Sequence, residues 1–242
     1  MGVRIGQYLL TPNTAFLFLA LAYFVVPSYR RLRQIDANRS SRPLLMILFA
    51  IMSGVAGAWL HAEWLPVESM RFPLGWLDIR FGSFGGYWGV FLGAVLCARI
   101  VGMPAMASAD AFVPGVLIGG AVARVGCLFT GCCRGIDVAA FGEFQPFRYW
   151  PRFDLLALLA TAAVVTRTER KPGRQLASGL QVGLCLAVYG ALRFILEFAR
   201  GLPQILGPFT AAQVLATLQI LAGLALLILL SPRRIRPNEG GA

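Results

Sequence analysis

Charged side chains lie inside long apolar segments of this sequence. Arg124 lies in one segment, and Arg193 and Glu197 lie together in another. A charge at the centre of a bilayer costs about 2.5–3.5 kcal/mol, so such a residue normally faces other helices, has a partner and marks a functional site. Arg193 and Glu197 are four residues apart and can pair on a helix. This pair either marks a site or only holds helices together, and the two residues alone favour neither interpretation.

A single helix face is predicted to carry Tyr189, Arg193, Glu197 and Arg200, because these residues are spaced four, four and three apart. Arg124 lies near the end of its own segment, just before a loop rich in glycine and cysteine. The guanidinium groups of Arg124, Arg193 and Arg200 could therefore converge near one membrane surface. Guanidinium groups bind phosphate oxygens in a bidentate manner and stay charged in a medium of low dielectric constant. The pattern predicts a site for an anionic lipid head group.

The composition indicates an integral membrane protein. Of the 242 residues, 57% are hydrophobic and 14% are charged, whereas soluble domains carry about a quarter charged residues. The apolar residues are concentrated in runs, some of them near the ~20 residues that cross a bilayer. These features exclude a soluble enzyme, a disordered chain and a nucleic-acid-binding module, despite the net charge of +11.

Seven apolar stretches predict an all-α, polytopic membrane protein with seven transmembrane helices. They span residues 13–27, 44–62, 84–98, 111–129, 153–166, 176–199 and 208–230. Thirteen of the 22 basic residues fall on one side of these stretches and seven on the other. The side with more Arg and Lys is cytoplasmic, which predicts an N-terminus outside and a C-terminus in the cytoplasm. We expect one transmembrane domain over residues 1–230 and a basic, disordered cytoplasmic tail over residues 231–242.

Small residues recur at every fourth position in three of the stretches. The three rows are Gly85, Gly89 and Gly93; Gly115, Gly119, Ala123 and Cys127; and Gly179, Gly183, Ala187 and Ala191. Such rows allow helix backbones to approach closely in lipid. We interpret them as helix-packing surfaces, with direct ligand binding as the alternative.

Four motifs resemble those of the bacterial prolipoprotein diacylglyceryl transferases. They lie in order at residues 83–89, 123–127, 189–200 and 210–213, within a resemblance that covers about residues 44–230. The part from Arg193 to Arg200 is the most specific. Cys127 stands where the family usually has Asn, and Phe84 stands where some members have His.

The resemblance implies a reaction and roles for individual residues. Members of this family transfer diacylglycerol from phosphatidylglycerol to the cysteine thiol of a secreted lipoprotein precursor and release glycerol phosphate, without a metal or organic cofactor. They act at the extracytoplasmic side of the bacterial inner membrane. Carried over, Arg124 and Arg193 hold the phosphate, and Glu197 positions Arg193. The implied substrate-binding residues are Gly85, Gly86, Tyr189 and Arg200.

Three cysteines form a cluster at the predicted outer face: Cys127, Cys132 and Cys133. A disulfide between Cys127 and a neighbour would suit an oxidising compartment. Alternatively, one thiol is catalytic or carries an acyl group, since Arg124 and Arg134 would lower its pKa. A zinc site is the least favoured interpretation, because the single histidine is distant in sequence.

That histidine, His61, lies at the predicted outer end of the second stretch. It could act as the general base, because its ordinary pKa suits neutral pH, or it could simply be a polar residue at the lipid–water boundary. Asp110 is interpreted as a helix N-cap or a surface charge. The tryptophans fall mostly near the predicted outer boundary, as in an aromatic belt. They are Trp59, Trp64, Trp76, Trp88 and Trp150.

Two alternatives to the lipoprotein-modifying enzyme remain. The first keeps phosphatidylglycerol as donor but uses another acceptor, such as a small thiol or one of the protein's own cysteines. The second is a non-enzymatic lipid-binding or transport protein that uses Arg124 and Arg193 for recognition. The expected partners are phosphatidylglycerol, other membrane lipids and secreted lipoprotein precursors, with no nucleic acid.

Overall fold

The computed structural model describes most of the chain. The described residues are 3–5, 8–10, 12–37, 39–64, 70–74, 77–81, 83–131, 135–137, 150–169, 178–200 and 203–230. Seven long helices dominate this part of the chain. They are α1 (Pro12–Ile35), α2 (Ser41–Trp64), α3 (Ser83–Val101), α4 (Ala105–Thr130), α5 (Pro151–Glu169), α6 (Leu180–Glu197) and α7 (Ala211–Leu230).

Three short antiparallel hairpins accompany the helices. The paired strands are β1 (Val3–Ile5) with β2 (Tyr8–Leu10), β3 (Met70–Leu74) with β4 (Leu77–Phe81), and β5 (Gln204–Leu206) with β6 (Phe209–Thr210). The predicted tail over residues 231–242 lies outside the described residues, so its disorder stays a prediction.

Six of the seven helices are long and apolar enough to cross a membrane, which makes this a multi-pass membrane protein. The exception is α5, whose sequence contains Arg152, Asp154, Arg167 and Glu169. Helices α6 and α7 lie within their predicted stretches, whereas α1 to α5 extend beyond theirs. For example, α1 continues to Ile35, well past residue 27. Hydropathy marks only the apolar part of a helix, whereas arginine is itself a good helix former.

The three rows of small residues form three close helix pairs, which confirms their interpretation as packing surfaces. A Cβ atom at Gly89 would overlap the carbonyl oxygen of Ser53, so α3 packs directly against the backbone of α2. In the same way Gly115 lies against α1, and Gly183 lies against Gly223 of α7. Each pair gains van der Waals contact at short range, which is the main attraction available between helices in lipid.

We expect Gly89→Ala to lower the thermal midpoint of the purified protein, because the new methyl group would displace the α2 backbone. Gly86→Ala is the matched control on the same helix, since its Cβ would lie 3.6 Å from the Ala58 Cβ, an ordinary contact. Overpacking of this kind typically costs about 1–3 kcal/mol. Thermal unfolding in detergent would measure both variants. Equal midpoints for the two would contradict the packing role of Gly89.

Asp110 connects the start of α4 to the start of α6 through hydrogen bonds. It is buried within α4, and its carboxylate accepts hydrogen bonds from the backbone N–H groups of Gly179 (2.6 Å) and Val182 (2.9 Å). Arg31 donates nearby to Gln181 at 2.9 Å. Asp110 therefore caps the N-terminus of α6, as one predicted alternative has it for a helix; the other alternative, a surface charge, is wrong because the side chain is buried. A carboxylate at the start of another helix is favoured by the helix dipole.

The same contact shows that α4 and α6 run in one direction, since both begin beside Asp110. The ends of these two helices consequently lie together at the opposite end of the bundle. The first turn of α5 reaches the same place, where Asp154 meets Arg124 of α4. Side chains from three helices therefore meet at this end.

Candidate active site

Arg124 enters the site from the last two turns of α4. The helix ends at Thr130, and Gly131 follows in the left-handed conformation with φ of 67°, a common glycine cap. The Arg124 Nε lies 2.5 Å from the Oδ2 of Asp154 on α5. Its Nη1 also lies 4.0 Å from the sulfur of Cys127, one turn further along α4.

Asp154 connects α4, α5 and α6. Besides the contact with Arg124, its Oδ1 accepts a hydrogen bond from the Tyr189 hydroxyl at 3.0 Å. The same oxygen lies 3.9 Å from the Nε of Arg193. Asp154 is fully buried, so these contacts take the place of water around its carboxylate.

The four residues predicted to share one face of α6 are all buried on that helix or in the turn after it, which confirms the face. Arg193 Nη1 lies 2.7 Å from Glu197 Oε2. Arg200 Nη1 lies 3.5 Å from the other carboxylate oxygen of Glu197. The α-helix ends at Glu197, and the Arg200 N–H donates to its carbonyl at 3.0 Å, which turns Arg200 back into the site.

Five side chains thus form a row of alternating charge, which we call the charge row: Arg124, Asp154, Arg193, Glu197 and Arg200. The three inner members are at most 1% exposed, whereas Arg124 and Arg200 at its two ends are each 8% exposed. Buried charges need partners of opposite sign to offset the loss of water. The row provides such a partner for each inner member on both sides.

Trp150 brings three guanidinium groups together. Its ring centre lies 4.2 Å from the guanidinium carbon of Arg193, 4.5 Å from that of Arg200 and 5.9 Å from that of Arg124. The indole N–H donates to the Leu196 carbonyl at 2.9 Å, which fixes the ring to α6. A guanidinium group is attracted to the electron-rich face of an indole. The guanidinium groups predicted to converge lie around this one ring.

The predicted residues on α2 and α3 lie beside the charge row rather than in it. The ring of Phe84 is 5.2 Å from the Arg193 guanidinium carbon, and His61 contacts the Phe84 ring with a centroid distance of 6.2 Å. Phe84 therefore links His61 to Arg193. Gly85 and Gly86 approach α2. The roles of His61 as general base and of the two glycines in substrate binding stay predictions.

The cysteine cluster is only partly described. Cys127 is buried beside Arg124, but Cys132 and Cys133 lie outside the described residues. The disulfide and zinc interpretations therefore stay untested. In the described part of the chain, no three His, Cys, Asp or Glu side chains cluster as metal ligands would.

The last motif, at the start of α7, is a helix cap. The Thr210 N–H donates to Gln213 Oε1 at 3.0 Å, and the Gln213 N–H donates to the Thr210 hydroxyl at 3.2 Å. This reciprocal arrangement is a capping box, which satisfies backbone donors that the first turn leaves open. The motif therefore has a structural function at the start of the last helix.

A sequence profile of the prolipoprotein diacylglyceryl transferase family matches residues 3–229. The chain belongs to this family. Among its relatives are phosphatidylglycerol–prolipoprotein diacylglyceryl transferases from three strains of Dehalococcoides mccartyi, each 28% identical over 132 residues. The alignment covers 48% of this chain and 48% of each relative. The chain thus spans about half the length of the curated transferases it matches.

Two residues of this candidate site were not predicted from the sequence. Asp154 lies at the start of the fifth apolar stretch, where an acidic residue is common in the first turn of any helix. Trp150 was counted with the aromatic belt, yet it is fully buried. Asp154 could have been recognised from its location in the shortest and most polar stretch. A carboxylate in a membrane helix requires a partner.

Proposed function

We propose that this protein transfers diacylglycerol from phosphatidylglycerol to the cysteine thiol of a secreted lipoprotein precursor and releases glycerol phosphate. Family membership and the function by which the relatives are named support this activity. The structural observation that carries it is the meeting of Arg124, Arg193 and Arg200 around one buried ring. Three guanidinium groups at the end of a membrane bundle suit a phosphate at the depth of a lipid head group.

In the proposed reaction, the thiol sulfur attacks the glyceryl carbon that carries the phosphate. A carbon–sulfur bond forms, the carbon–oxygen bond breaks, and its electron pair leaves on the glycerol phosphate. Arg124 and Arg193 hold this phosphate, whose negative charge grows in the transition state. Glu197 holds Arg193, and Arg200 lies where the head group leaves. The thiol proton passes to a base, for which His61 is the candidate.

We place the charge row at the extracytoplasmic side of the bacterial inner membrane. The basic loops support this orientation, because the helix ends near the charge row border the loops with fewer Arg and Lys residues. We also propose that α5 is the seventh span. The ion pair of Asp154 with Arg124 supports this, since pairing inside the bundle reduces the cost of a charge in the membrane.

One observation supports a different acceptor. Cys127 replaces the family's usual Asn, and its sulfur lies 4.0 Å from Arg124. Cys127 thus lies beside one of the two arginines that we propose to hold the phosphate. This second candidate is transfer of the diacylglyceryl group to Cys127 itself, with the same bond changes at the lipid.

The test is an incubation of purified protein with phosphatidylglycerol and a lipobox peptide. Modified peptide and released glycerol phosphate together would support the lipoprotein reaction. Glycerol phosphate without modified peptide, together with a mass gain on the protein that Cys127→Ser removes and Cys185→Ser leaves, would support self-modification. Binding of phosphatidylglycerol without either product would contradict both reactions and indicate a lipid-binding protein.

A further inference from the structure

We infer that Asp154 is a positioning residue that sets the separation and orientation of Arg124 and Arg193. The inference rests on the proposed function, because it concerns how the two phosphate-binding groups are held. Among the described residues, Asp154 is the carboxylate that contacts guanidinium groups from both α4 and α6. In the described part of the chain, Glu197 forms ion pairs with Arg193 of α6 and with Arg200 in the turn after α6.

The geometry fixes the direction of the Asp154 carboxylate. One oxygen faces the Arg124 Nε at 2.5 Å, and the other accepts from the Tyr189 hydroxyl at 3.0 Å. Tyr189 lies one turn before Arg193 on α6 and packs edge-on against Tyr87 of α3, with ring centroids 5.4 Å apart. A carboxylate held in this way has little freedom to rotate. One oxygen is therefore held facing Arg124, and the other is held 3.9 Å from the Arg193 Nε, within ion-pair distance.

The charges explain why such a residue is needed. Arg124 and Arg193 carry like charges, and in a buried site their repulsion is weakly screened. The carboxylate of Asp154 between them offsets that repulsion before any lipid is bound. It also lowers the positive charge available to a phosphate. A residue kept only to attract an anion would have the opposite sign, so the effect of Asp154 must lie in the arrangement of the arginines.

Loss of the Asp154 charge is expected to affect kcat and KM differently. Asp154→Asn keeps the size of the side chain and an oxygen for Tyr189, but it removes the negative charge. The phosphate would still be attracted, so KM for phosphatidylglycerol should stay unchanged or fall. The arginines would no longer be aligned with the leaving phosphate, and kcat should fall about 100-fold, the usual effect of misplacing a catalytic group by about 1 Å.

Three variants test the inference through release of glycerol phosphate. Asp154→Asn should lower kcat as stated. The kcat of Asp154→Glu should be at least tenfold higher than that of Asp154→Asn, because glutamate restores the negative charge. Asp36→Asn is the matched control, since Asp36 pairs with Arg42 at 3.4 Å in a more exposed ion pair on a different part of the chain. It should stay within twofold of the parent protein.

The inference would be overturned if Asp154→Asn kept kcat within threefold of the parent. It would also be overturned if activity fell only in proportion to the amount of folded protein, measured by gel filtration and thermal unfolding. Failure of the proposed function gives a different result, because the parent protein itself would then release no glycerol phosphate. In that case, the inference can still be tested by comparing how tightly the parent protein and Asp154→Asn bind phosphatidylglycerol vesicles. Weaker binding by Asp154→Asn than by the parent would contradict the inference.

Discussion

Replacing Arg193 with alanine is expected to lower turnover at least about 1000-fold. Removal of one group that stabilises a developing oxyanion typically costs about 10²–10³ in rate. Arg193 is also the central member of the charge row, with Glu197 at 2.7 Å and Asp154 at 3.9 Å. Its loss would leave one buried carboxylate on each side of the vacant position. The expected effect therefore exceeds that of removing a single phosphate contact.

Arg193→Lys is the control for this variant. Lysine keeps the positive charge but lacks the planar, forked group that faces both Glu197 and the Trp150 ring. We expect a loss of about 10–100-fold, between the parent and the alanine variant. The rate of glycerol phosphate release would be measured for the parent and both variants, using preparations that elute alike in gel filtration. Near-normal turnover by Arg193→Ala would refute the phosphate-binding role.

The second large effect is expected at Arg124, where a second substitution should restore stability but not activity. Arg124→Ala would leave Asp154 without its closest ion-pair partner, and breaking a buried pair in this way typically costs about 3–5 kcal/mol of the free energy of unfolding. The double variant with Arg124→Ala and Asp154→Asn removes both charges. We expect it to recover most of the lost stability, because no buried carboxylate then remains at this position.

Turnover should not recover with stability. The double variant still lacks the Arg124 guanidinium group that we propose to hold the phosphate, so its activity should stay at least about 100-fold below the parent. Thermal unfolding and glycerol phosphate release, measured on the same preparations, would show the separation. Recovery of both quantities in the double variant would mean that Arg124 serves only to neutralise Asp154.

The features predicted correctly from the sequence depend on the periodicity of single helices. The shared face of Tyr189, Arg193 and Glu197 follows from spacing along one helix, and it exists as predicted. The rows of small residues were also recognised correctly as packing surfaces. Such patterns are local, so neither required knowledge of which helices are neighbours.

The features missed depend on contacts between helices. Asp154 is 30 residues from Arg124 and 39 from Arg193 along the chain, and its sequence surroundings are those of an ordinary helix start. Trp150 was assigned to the membrane boundary because tryptophan is common there. The same residue can instead cover buried guanidinium groups, and the two cases differ only in the surrounding tertiary structure. The sequence likewise could not indicate which helix Asp110 caps, since that helix is not its own.

The contact of Asp110 with the first residues of α6 has a consequence at the far end of the bundle. Along α4, the distance from Asp110 to Arg124 is about 21 Å, from a rise of 1.5 Å per residue. Because α6 is held at its start by Asp110 and near its end by Asp154, it cannot slide along its axis relative to α4. A slip of one turn would carry Arg193 about 5.4 Å from its present neighbours. The alignment of Arg124 and Arg193 thus depends on the Asp110 contact at the opposite end of the bundle.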